Sequence, residues 1–447
     1  MKRIPILLGA QAARAKIARQ RTLTEKIISP ANLARLEKIF GARLAPEEAV
    51  KKILDDVRER ADAAVGEWNE KIDGGARENF LLSAAEIETA YQETPLAVRD
   101  ALHRAAQRIR AFHEKQKPRS WLDWTPEGGA LGQIIRPLAR VGVYAPGGAA
   151  PLPSSLLMSA LPAQVAGVPE IIVVSPPTRA GKIAPVILAA ARVAAVSRVY
   201  ALGGAQAIAA LAFGTRTIPR VDKIVGAGGI FTTLAKRQVF GVVGIDGLYG
   251  PTETVLIADD AAPPRYVAAD LLAQAEHDVL ATSILLTPSR ALAERVADEI
   301  DAQLPRLTRR AVIESALQNQ GALCVLASLD ECLELANEYA PEHLCLLTRD
   351  AWALVPRVRN AGGVFVGEQS SEALGDYMLG PSHVMPTGGT ARFMSPLNVN
   401  DFVKITSVFY ASAAEAKQLS APGQILAQGE ELTAHACALE QRMQDEG

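Results

Sequence analysis

Residues 141–153 read VGVYAPGGAAPLP, an apolar run that passes directly into glycine- and proline-rich chain. The first four residues predict a strand, and the residues after them predict a loop. Strands and helices are then predicted in alternation, with strands over 171–174 and 199–202 and helices over 154–165, 183–196 and 205–213. Such alternation is typical of a parallel sheet with helices on its faces.

The chain on either side of this region divides by the spacing of its apolar residues. Residues 38–115 are predicted to be helical, because apolar residues recur three and four apart. Further strands are predicted over 133–136, 254–258, 282–286, 322–325 and 363–366. Residues 1–37 are basic, helical in pattern and poor in core residues, so we expect them to pack on another domain or another subunit. The last fifty residues are again helical in texture.

Composition indicates a globular protein that is long enough for two or three cores. Of the 447 residues 49% are hydrophobic and 21% are charged, and the net charge of −2 gives no sign of a nucleic-acid surface. We expect no membrane span, because the longest apolar run, residues 183–191, is shorter than the roughly twenty residues that a span needs. Residues 1–8 lack the apolar core of a signal peptide, and the four cysteines form no CxxC pair. We therefore expect reduced thiols and a cytoplasmic location.

Four of the six histidines lie beside carboxylates, amides or glycines, where metal ligation or proton transfer is possible. They belong to Gln274-Ala-Glu-His277, to Ala340-Pro-Glu-His-Leu344, to residues 375–383 (GDYMLGPSH) and to residues 430–435 (EELTAH). The other two, His103 and His113, lie on a charged helix. We interpret them as solvent-facing or packing residues.

Gln274 and His277 follow a run with helical spacing, so they are expected three residues apart on one helix face. An amide oxygen and an imidazole nitrogen can then converge on one ion. Many helices carry such a pair without binding a metal, so the spacing alone leaves both interpretations open.

Glu342 and His343 place a carboxylate next to an imidazole, directly after Pro341. An imidazole can take a proton from an alcohol near neutral pH, and a carboxylate can activate water. The alternative is a helix N-terminus at which the helix dipole stabilises Glu342.

Residues 375–383 contain two glycines and a proline around Asp376 and His383, which predicts a loop. Polar residues on such loops are often functional, although surface loops also carry them without a function. Residues 430–435 are helical in pattern, and the alternative for Glu430 and His435 is a solvated helix end.

The order of these four motifs resembles the histidinol dehydrogenase family. The chain between them is similar to that family over residues 141–148 (VGVYAPGG), 203–211 (GGAQAIAAL), 221–224 (VDKI), 235–238 (AKRQ) and 386–393 (PTGGTARF). The resemblance covers nearly the whole chain and is weakest over the first hundred residues.

The resemblance implies one zinc ion per subunit, which holds and orients a substrate amino alcohol. The implied ligands are two imidazoles, one carboxylate and one amide oxygen: Gln274, His277, Asp376 and His435. This donor set suits a borderline ion that also accepts substrate atoms.

Glu342 and His343 correspond to the acid–base pair of the family. The resemblance implies that His343 takes the alcohol proton as hydride leaves for NAD, and that Glu342 activates water on the aldehyde. A second hydride transfer gives the acid, so L-histidinol becomes L-histidine with two NAD, the last steps of histidine biosynthesis. Substrate contacts are implied for the zinc ligands, for the acid–base pair, and for Thr252, His383 and Glu430. The family usually has serine at position 252.

The implied NAD contacts are Tyr144, Gln206 and Gly229. The family typically reads Gly-Pro-Gly-Asn where this chain reads Gly226-Ala-Gly-Gly229, so one side-chain amide is missing. Loss of one hydrogen bond weakens the binding of a ligand about tenfold. The chain has no G-x-G-x-x-G followed by an acidic residue, so the expectation of NAD depends on the resemblance.

We therefore predict an α/β protein with two incomplete Rossmann-like parallel-sheet domains and small helical extensions at both ends. The expected parts are an N-terminal helical segment (1–37), a first α/β domain (38–142 and 252–397), a second α/β domain on the cofactor side (143–251) and a C-terminal segment (398–447). The C-terminal segment is expected to bring Glu430 and His435 to the active site of a partner subunit, which makes a homodimer obligatory.

Three alternatives remain open. A relative could oxidise another small alcohol, such as a sulfonated diol or an amino alcohol, although His383 and Glu430 favour a cationic substrate with an imidazole. A zinc hydrolase could use the same ligands with Glu342 as its base and without NAD. A non-catalytic relative could retain zinc for structure, against which the intact pair of Glu342 and His343 argues.

Overall fold

The computed structural model describes residues 3–18, 30–74, 79–147, 151–178 and 180–444. Parts of four predicted segments lie outside the described residues: 1–2 and 19–29 of the N-terminal helical segment, 75–78 of the helical region 38–115, 148–150 of the glycine- and proline-rich loop, and 445–447 of the C-terminal segment.

The chain forms two compact units. Unit 1 comprises Met1–Gln116 and Ala139–Phe402, and unit 2 comprises Lys117–Leu138 and Val403–Gly447. The predicted second α/β domain, 143–251, belongs to unit 1, and so does most of the predicted first domain, but residues 117–138 of that first domain belong to unit 2. The boundaries between the predicted domains stay a prediction.

The strands of the described residues are β1 (Ile6–Leu8), β2 (Trp121–Trp124), β3 (Ala130–Pro137), β4 (Arg140–Tyr144), β5 (Glu170–Ser175), β6 (Arg198–Ala201), β7 (Lys223–Val225), β8 (Gly244–Ile245), β9 (Glu253–Ala258), β10 (Thr282–Thr287), β11 (Ala322–Val325), β12 (His343–Leu347), β13 (Gly363–Val366) and β14 (Val403–Tyr410). The helices are α1 (Ala10–Ile17), α2 (Pro30–Phe40), α3 (Pro46–Arg60), α4 (Asp62–Asp73), α5 (Ala84–Glu93), α6 (Leu96–Glu114), α7 (Pro153–Ala166), α8 (Pro185–Val193), α9 (Gly204–Phe213), α10 (Ile230–Val239), α11 (Pro264–Ala275), α12 (Arg290–Gln303), α13 (Arg310–Gln320), α14 (Leu329–Tyr339), α15 (Ala351–Leu354), α16 (Glu372–Tyr377), α17 (Ala413–Gly429) and α18 (Thr433–Gln444).

Two parallel sheets organise unit 1. Sheet A has the strand order β1-β11-β10-β9-β12-β13, and sheet B has the order β6-β5-β4-β7-β8. Leaving β1 aside, both sheets place their strands in the same order along the chain, third, second, first, fourth and fifth, which is most of a Rossmann sheet. The predicted fold of two incomplete Rossmann-like parallel sheets is confirmed.

Helices cover both faces of sheet A, so its central strands β9 and β12 are buried along their whole length. Residues of α11, α12 and α13 pack on one face, and residues of α1, α14 and α15 pack on the other. Sheet B packs one face against α3, α4, α9 and α10. The alanine-rich helix α9, with the sequence GAQAIAALAF, is buried on nearly all sides because its small residues let it approach the sheet closely.

Six strands of the described residues were not predicted from the sequence: β1, β2, β7, β8, β12 and β14. β1 pairs in parallel with β11 at the edge of sheet A, so the N-terminal segment is not purely helical. It is three residues long, too short for a recognisable alternation. After His343, the strand β12 is apolar because both its faces are buried, and it also shows no alternation. The C-terminal segment, predicted to be helical in texture, contains the helices α17 and α18 and also the strand β14, which pairs antiparallel with β3.

Unit 2 contains the antiparallel sheet β14-β3-β2 and two packed helices, α17 and α18. Large apolar side chains of this unit are exposed, among them Trp124 at 70% and Phe409 at 80%. Within the part of the chain that the structure describes, none of the helices combines the length and the apolarity needed to cross a membrane.

Candidate active site

The predicted acid–base pair lies at the amino edge of sheet A. β9 and β12 are adjacent and parallel, with His343 opposite Thr254, so the residues that precede the two strands, Thr252 and Glu342, meet at this edge. α11 follows β9 and leads back along the sheet, which brings its last turn with Gln274 to the same edge. The topology thus assembles residues that lie up to about ninety positions apart in the sequence.

Glu342 is buried, and one of its oxygens is held by two donors. The hydroxyl of Thr252 donates to Oε2 over 2.6 Å, and the backbone N–H of Glu253 donates to the same oxygen over 3.0 Å. Burial raises the pKa of Glu342 to about 7, although the nearby His343 and the hydroxyl of Thr252 lower it. Glu342 can therefore gain or lose a proton near neutral pH.

His343 presents one ring nitrogen as a base. Its Nδ1 lies 3.2 Å from the backbone oxygen of Glu253, so the hydrogen-bond network assigns the proton to Nδ1. Nε2 is then an acceptor, and it is buried without a partner among the described residues. Carboxyl oxygens of Glu342 and Glu372 lie 3.8 and 3.9 Å from Nδ1. When Glu342 is ionised, its carboxylate is close enough to stabilise a positive charge on the ring.

Gln274 and His277 approach one another at the end of α11. The helix ends at Ala275, two residues earlier than predicted, because the last turn tightens and the N–H of His277 bonds to the oxygen of Gln274. The Nε2 of Gln274 donates to Thr252 over 2.9 Å. Its Oε1 is buried and has no partner among the described residues, as expected of an oxygen that awaits an ion.

A cluster of possible metal ligands includes two of the predicted ones. The ligand atoms of His277, Glu372 and Asp376 all lie within 4.8 Å of one another. The His277 side chain is exposed, yet neighbouring groups remove part of its solvent, and this desolvation lowers its pKa. The charge of Asp376 opposes the shift. Together with Oε1 of Gln274, which has no partner among the described residues, these donors fit a zinc ion.

Glu372 was not predicted from the sequence. It opens α16 after the N-cap Ser371, and Asp376 follows four residues later on the same helix face. The predicted loop around Asp376 is thus wrong for residues 375–377, which are helical. Burial raises the pKa of Glu372 well above its usual range, and the charge of Asp376 adds to the effect. The signal in the sequence was the four-residue spacing of two acids after a serine, a common pattern on solvated helices.

His383 uses both of its ring nitrogens. Nδ1 lies 3.0 Å from the backbone oxygen of Asp376, and Nε2 lies 3.0 Å from the hydroxyl of Ser155. Ser155 lies in the first turn of α7, which begins at Pro153. Burial lowers the pKa of His383, and the carboxylate of Asp376 opposes this shift. The contact of His383 with a substrate stays a prediction.

The other two predicted residues belong to unit 2. Glu430 follows α17, and His435 lies in the first turn of α18. Both side chains are exposed. Their roles in zinc and substrate binding stay predictions.

The predicted NAD contacts lie around the carboxyl edge of sheet B. Ligands of open parallel sheets bind where the strand order reverses, which in sheet B is between β4 and β7. Tyr144 ends β4, and Gly226 follows β7 with a φ of 104°. A Cβ on Gly226 would lie 2.3 Å from the backbone oxygen of Tyr144, so only glycine permits this close approach of the two chain segments.

Gln206 and Gly229 stand at the start of the helices that follow β6 and β7. The Nε2 of Gln206 donates to Asp73 over 3.3 Å, and its Oε1 is buried without a partner among the described residues. Gly229 is the N-cap of α10, and a Cβ there would meet no atom within 4 Å. The N–H groups that open a helix attract phosphates, so this edge suits a dinucleotide.

A buried ion pair holds the turn after β7. Lys236 is paired with Asp246, and Lys236 Nζ also donates to the oxygen of Gly226 over 3.0 Å. Asp246 accepts the N–H groups of Gly226 and Gly247 over 2.7 and 2.8 Å. These bonds fix the start of the glycine-rich turn that leads to Gly229.

A wide cavity lies elsewhere. It has a volume of about 1080 Å³, and the exposed rings of Phe240 and Phe393 line it together with Glu253. None of the predicted site residues lines this cavity. We assign the chemistry to the cluster around His343, because proton transfer needs titratable groups and a metal needs donors, and both are found there.

The two Rossmann-like sheets, with a buried imidazole base beside a carboxyl of near-neutral pKa, define the class of α/β dehydrogenases. The sequence profile of the family described as "Histidinol dehydrogenase" matches residues 42–443. The chain belongs to the histidinol dehydrogenase family.

Individual relatives match nearly the whole chain. The histidinol dehydrogenase of Deinococcus radiodurans is 52% identical over 97% of this chain and 99% of its own length. That of Heliobacterium mobile is 47% identical over 95% of this chain and 99% of its own length. The crystal structure of histidinol dehydrogenase from Elizabethkingia anophelis superimposes with a TM-score of 0.90 at 32% identity, covering 98% of each chain.

Proposed function

We propose that this protein oxidises L-histidinol to L-histidine through the aldehyde, with zinc and two NAD, in the last steps of histidine biosynthesis. The observation that carries the proposal is the buried, unpartnered Nε2 of His343 beside Glu342 and the cluster of metal ligands. The names of the relatives supply the substrate, and the three buried thiols, which form no disulfide, suit a cytoplasmic enzyme.

In the first oxidation, His343 Nε2 accepts the proton of the substrate hydroxyl while a hydride leaves the carbon that bears this hydroxyl. The imidazolium that forms is stabilised by the carboxylate of Glu342, which lies 3.8 Å from Nδ1. Bound NAD would accept one hydride in each of the two oxidations.

In the second oxidation, Glu342 takes a proton from water as the water oxygen bonds to the aldehyde carbon. The imidazolium of His343 returns its proton to the aldehyde oxygen as this bond forms, which gives the hydrated aldehyde and a neutral His343. A hydroxyl of the hydrate then gives its proton to His343 while its carbon loses a hydride, which the second NAD would accept, and the carboxylic acid remains. Because burial raises the pKa of Glu342 to about 7, the carboxylate is a stronger base than an exposed glutamate and is still available above neutral pH.

One zinc ion per subunit would be held by Gln274, His277 and Asp376, with His435 as the fourth ligand. Zinc supplies a centre that holds and orients the amino alcohol. The support from unit 1 is the unpartnered Oε1 of Gln274 and the convergence of His277 with Asp376.

NAD would lie against Tyr144, Gln206 and Gly229 at the carboxyl edge of sheet B. Support comes from the reversal of strand order at this edge and from the unpartnered Oε1 of Gln206. Substrate contacts are proposed for Thr252, His383 and Glu430, in addition to the zinc ligands and the acid–base pair.

The proposed assembly is a homodimer in which Glu430 and His435 complete the site of the partner. The support is the exposure of apolar side chains on unit 2, since contiguous exposed apolar surface commonly marks an interface. The exposure of Glu430 and His435 is compatible with a site formed by two chains.

The test is NADH formation by purified, zinc-loaded protein that receives L-histidinol and NAD. We expect an absorbance rise at the nicotinamide band that a chelator abolishes and added zinc restores. Zinc-loaded protein that gives no NADH from histidinol would contradict the proposal. Hydrolysis of an ester or amide by that protein would then favour the zinc hydrolase, and NADH from another small alcohol would favour a divergent relative.

A further inference from the structure

We propose that Thr252 is a positioning residue whose hydroxyl couples the zinc ligand Gln274 to the water-activating carboxylate Glu342. The inference rests on the proposed function, because it gives a purpose to a contact between the proposed metal ligand and the proposed base. It adds a second role to a residue that the resemblance assigns only to substrate contact.

The hydrogen bonds of Thr252 have one consistent direction. Its hydroxyl carries a single hydrogen, which points at Oε2 of Glu342 over 2.6 Å. The hydroxyl oxygen is therefore an acceptor for Gln274 Nε2 over 2.9 Å. One side-chain hydroxyl thus bridges the two groups.

The bridge selects the orientation of the Gln274 amide. If the amide turned over, Oε1 would face an oxygen whose hydrogen is already committed to Glu342, and two acceptors would repel one another. Thr252 thereby keeps Nε2 on its own side and leaves Oε1 of Gln274 for the ion. The absence of any partner for Oε1 among the described residues agrees with this orientation.

The same bridge selects which oxygen of Glu342 acts on water. Oε2 receives donors from Thr252 and from the N–H of Glu253, while Oε1 receives none from the described residues. When one oxygen of a carboxylate is held by hydrogen bonds, the position of the other oxygen is fixed as well. Oε1 of Glu342 is then already oriented to accept a proton from water.

Thr252 is itself held by the sheet. Its backbone oxygen accepts the N–H of Thr282 over 3.0 Å, directly before β9 and β10 begin to pair. The β-branched side chain restricts χ1 more than a serine would. The threonine therefore keeps the hydroxyl in the bridging rotamer at a lower entropic cost.

The experiment replaces the hydroxyl and keeps the shape, in Thr252→Val, with Thr252→Ser as the conservative rescue. Thr287→Val is the matched control, since Thr287 is also a buried threonine of sheet A and lies at the opposite end of β10. Three quantities are measured for each: zinc affinity by competition with a chelator, the absorption spectrum of the cobalt-substituted protein, and the yield of NADH per histidinol.

We expect Thr252→Val to bind zinc roughly 10- to 100-fold more weakly, the range for loss of a partner behind a metal ligand. Its cobalt spectrum shifts, and its NADH yield falls from two towards one because the aldehyde accumulates. Thr252→Ser restores all three quantities, and Thr287→Val leaves them unchanged.

Two results would separate the claims. Zinc affinity within threefold of wild type and two NADH per histidinol in Thr252→Val would overturn this inference and leave the proposed function intact. Wild-type protein that binds no zinc would overturn the proposed function and this inference together.

Discussion

At the scale of single residues, environment separates the roles of the adjacent side chains Glu342 and His343. Both are buried, but they differ in their hydrogen bonds. The Nδ1–H of His343 donates to the backbone oxygen of Glu253, while Oε2 of Glu342 accepts two hydrogen bonds. His343 therefore leaves Nε2 without a partner among the described residues, and Glu342 is a carboxyl whose pKa burial raises. Adjacency in sequence suggested the pair, and the three-dimensional surroundings distinguish the two groups.

Removing the imidazole tests whether His343 is a base or a ligand. We expect His343→Ala to lose oxidation of histidinol and to keep the zinc content of wild type. The reason is that Nδ1 of His343 is hydrogen-bonded to the backbone oxygen of Glu253 and that His343 is not one of the proposed zinc ligands. Zinc is measured by atomic emission on the dialysed protein. His103→Ala is the control, since His103 is exposed and bonds to Tyr91. Loss of zinc from His343→Ala would make His343 a ligand and overturn its assignment.

The raised pKa of Glu342 predicts a pH dependence with a definite sign. The carboxylate is the active base, so the rate of aldehyde oxidation should increase between about pH 6 and pH 8 and level off above, with a midpoint near 7. The measurement is a pH profile of kcat with the aldehyde as substrate. Glu342→Gln should remove this activity. A midpoint near the ordinary value of a glutamate would show that burial does not control this group.

Glu372 is a residue of the candidate site that the sequence alone did not identify. Gln274, His277 and Asp376 could be named from motifs, but a lone glutamate at the start of a short helix has no signature. Its importance follows from burial and from its 3.9 Å distance to His343, which depend on how α16 packs. Those quantities are properties of the fold and cannot be read from spacing.

At the scale of elements, the two sheets have the same strand order but contribute opposite edges. The proposed cofactor site uses the carboxyl edge of sheet B, as expected for open parallel sheets. The acid–base pair lies at the amino edge of sheet A, which the general rule does not anticipate. Alternating strands and helices predicted both sheets, yet strand order and the choice of edge required the structure.

The short turn before α10 offers a direct test of the glycine at position 229. An added side chain has open space there, and the φ of −66° is ordinary for any residue. We expect Gly229→Asn to tighten NAD binding by up to about tenfold, through one added hydrogen bond. Calorimetric titration measures the effect, with Gly229→Ala as the control that adds only a methyl group. An unchanged affinity in Gly229→Asn would remove this explanation of the departure from the family pattern.

Three of the strands that the sequence did not predict were missed for two physical reasons. Strands β1 and β12 lack the apolar–polar alternation that identifies half-buried strands, the first because it is short and the second because it is buried on both faces. β14 has alternating polarity, but it lies between helical stretches and pairs with a strand more than two hundred residues away. Local pattern carries no information about such a partner.

At the scale of the whole molecule, the proposed active site requires two chains. Unit 1 contains the proposed acid–base pair and three proposed zinc ligands, and His435 of the partner subunit is the proposed fourth ligand. Each dimer would then contain two sites that draw on both subunits.

Mixing two inactive variants tests this sharing. His343→Ala and His435→Ala should each be inactive as pure dimers. When they are unfolded together and refolded, half of the dimers combine both chains and contain one intact site. We expect recovery of about a quarter of wild-type activity. Recovery of none, with mixed dimers present by mass spectrometry, would place His435 in the site of its own chain.

The measurement that tests the central claim most directly is the number of NADH formed per L-histidinol consumed by the zinc-loaded protein. One site that carries out both oxidations predicts two NADH and one L-histidine for each histidinol, with no aldehyde in solution. One NADH and released aldehyde would contradict the account, because Glu342 would then have no role in activating water.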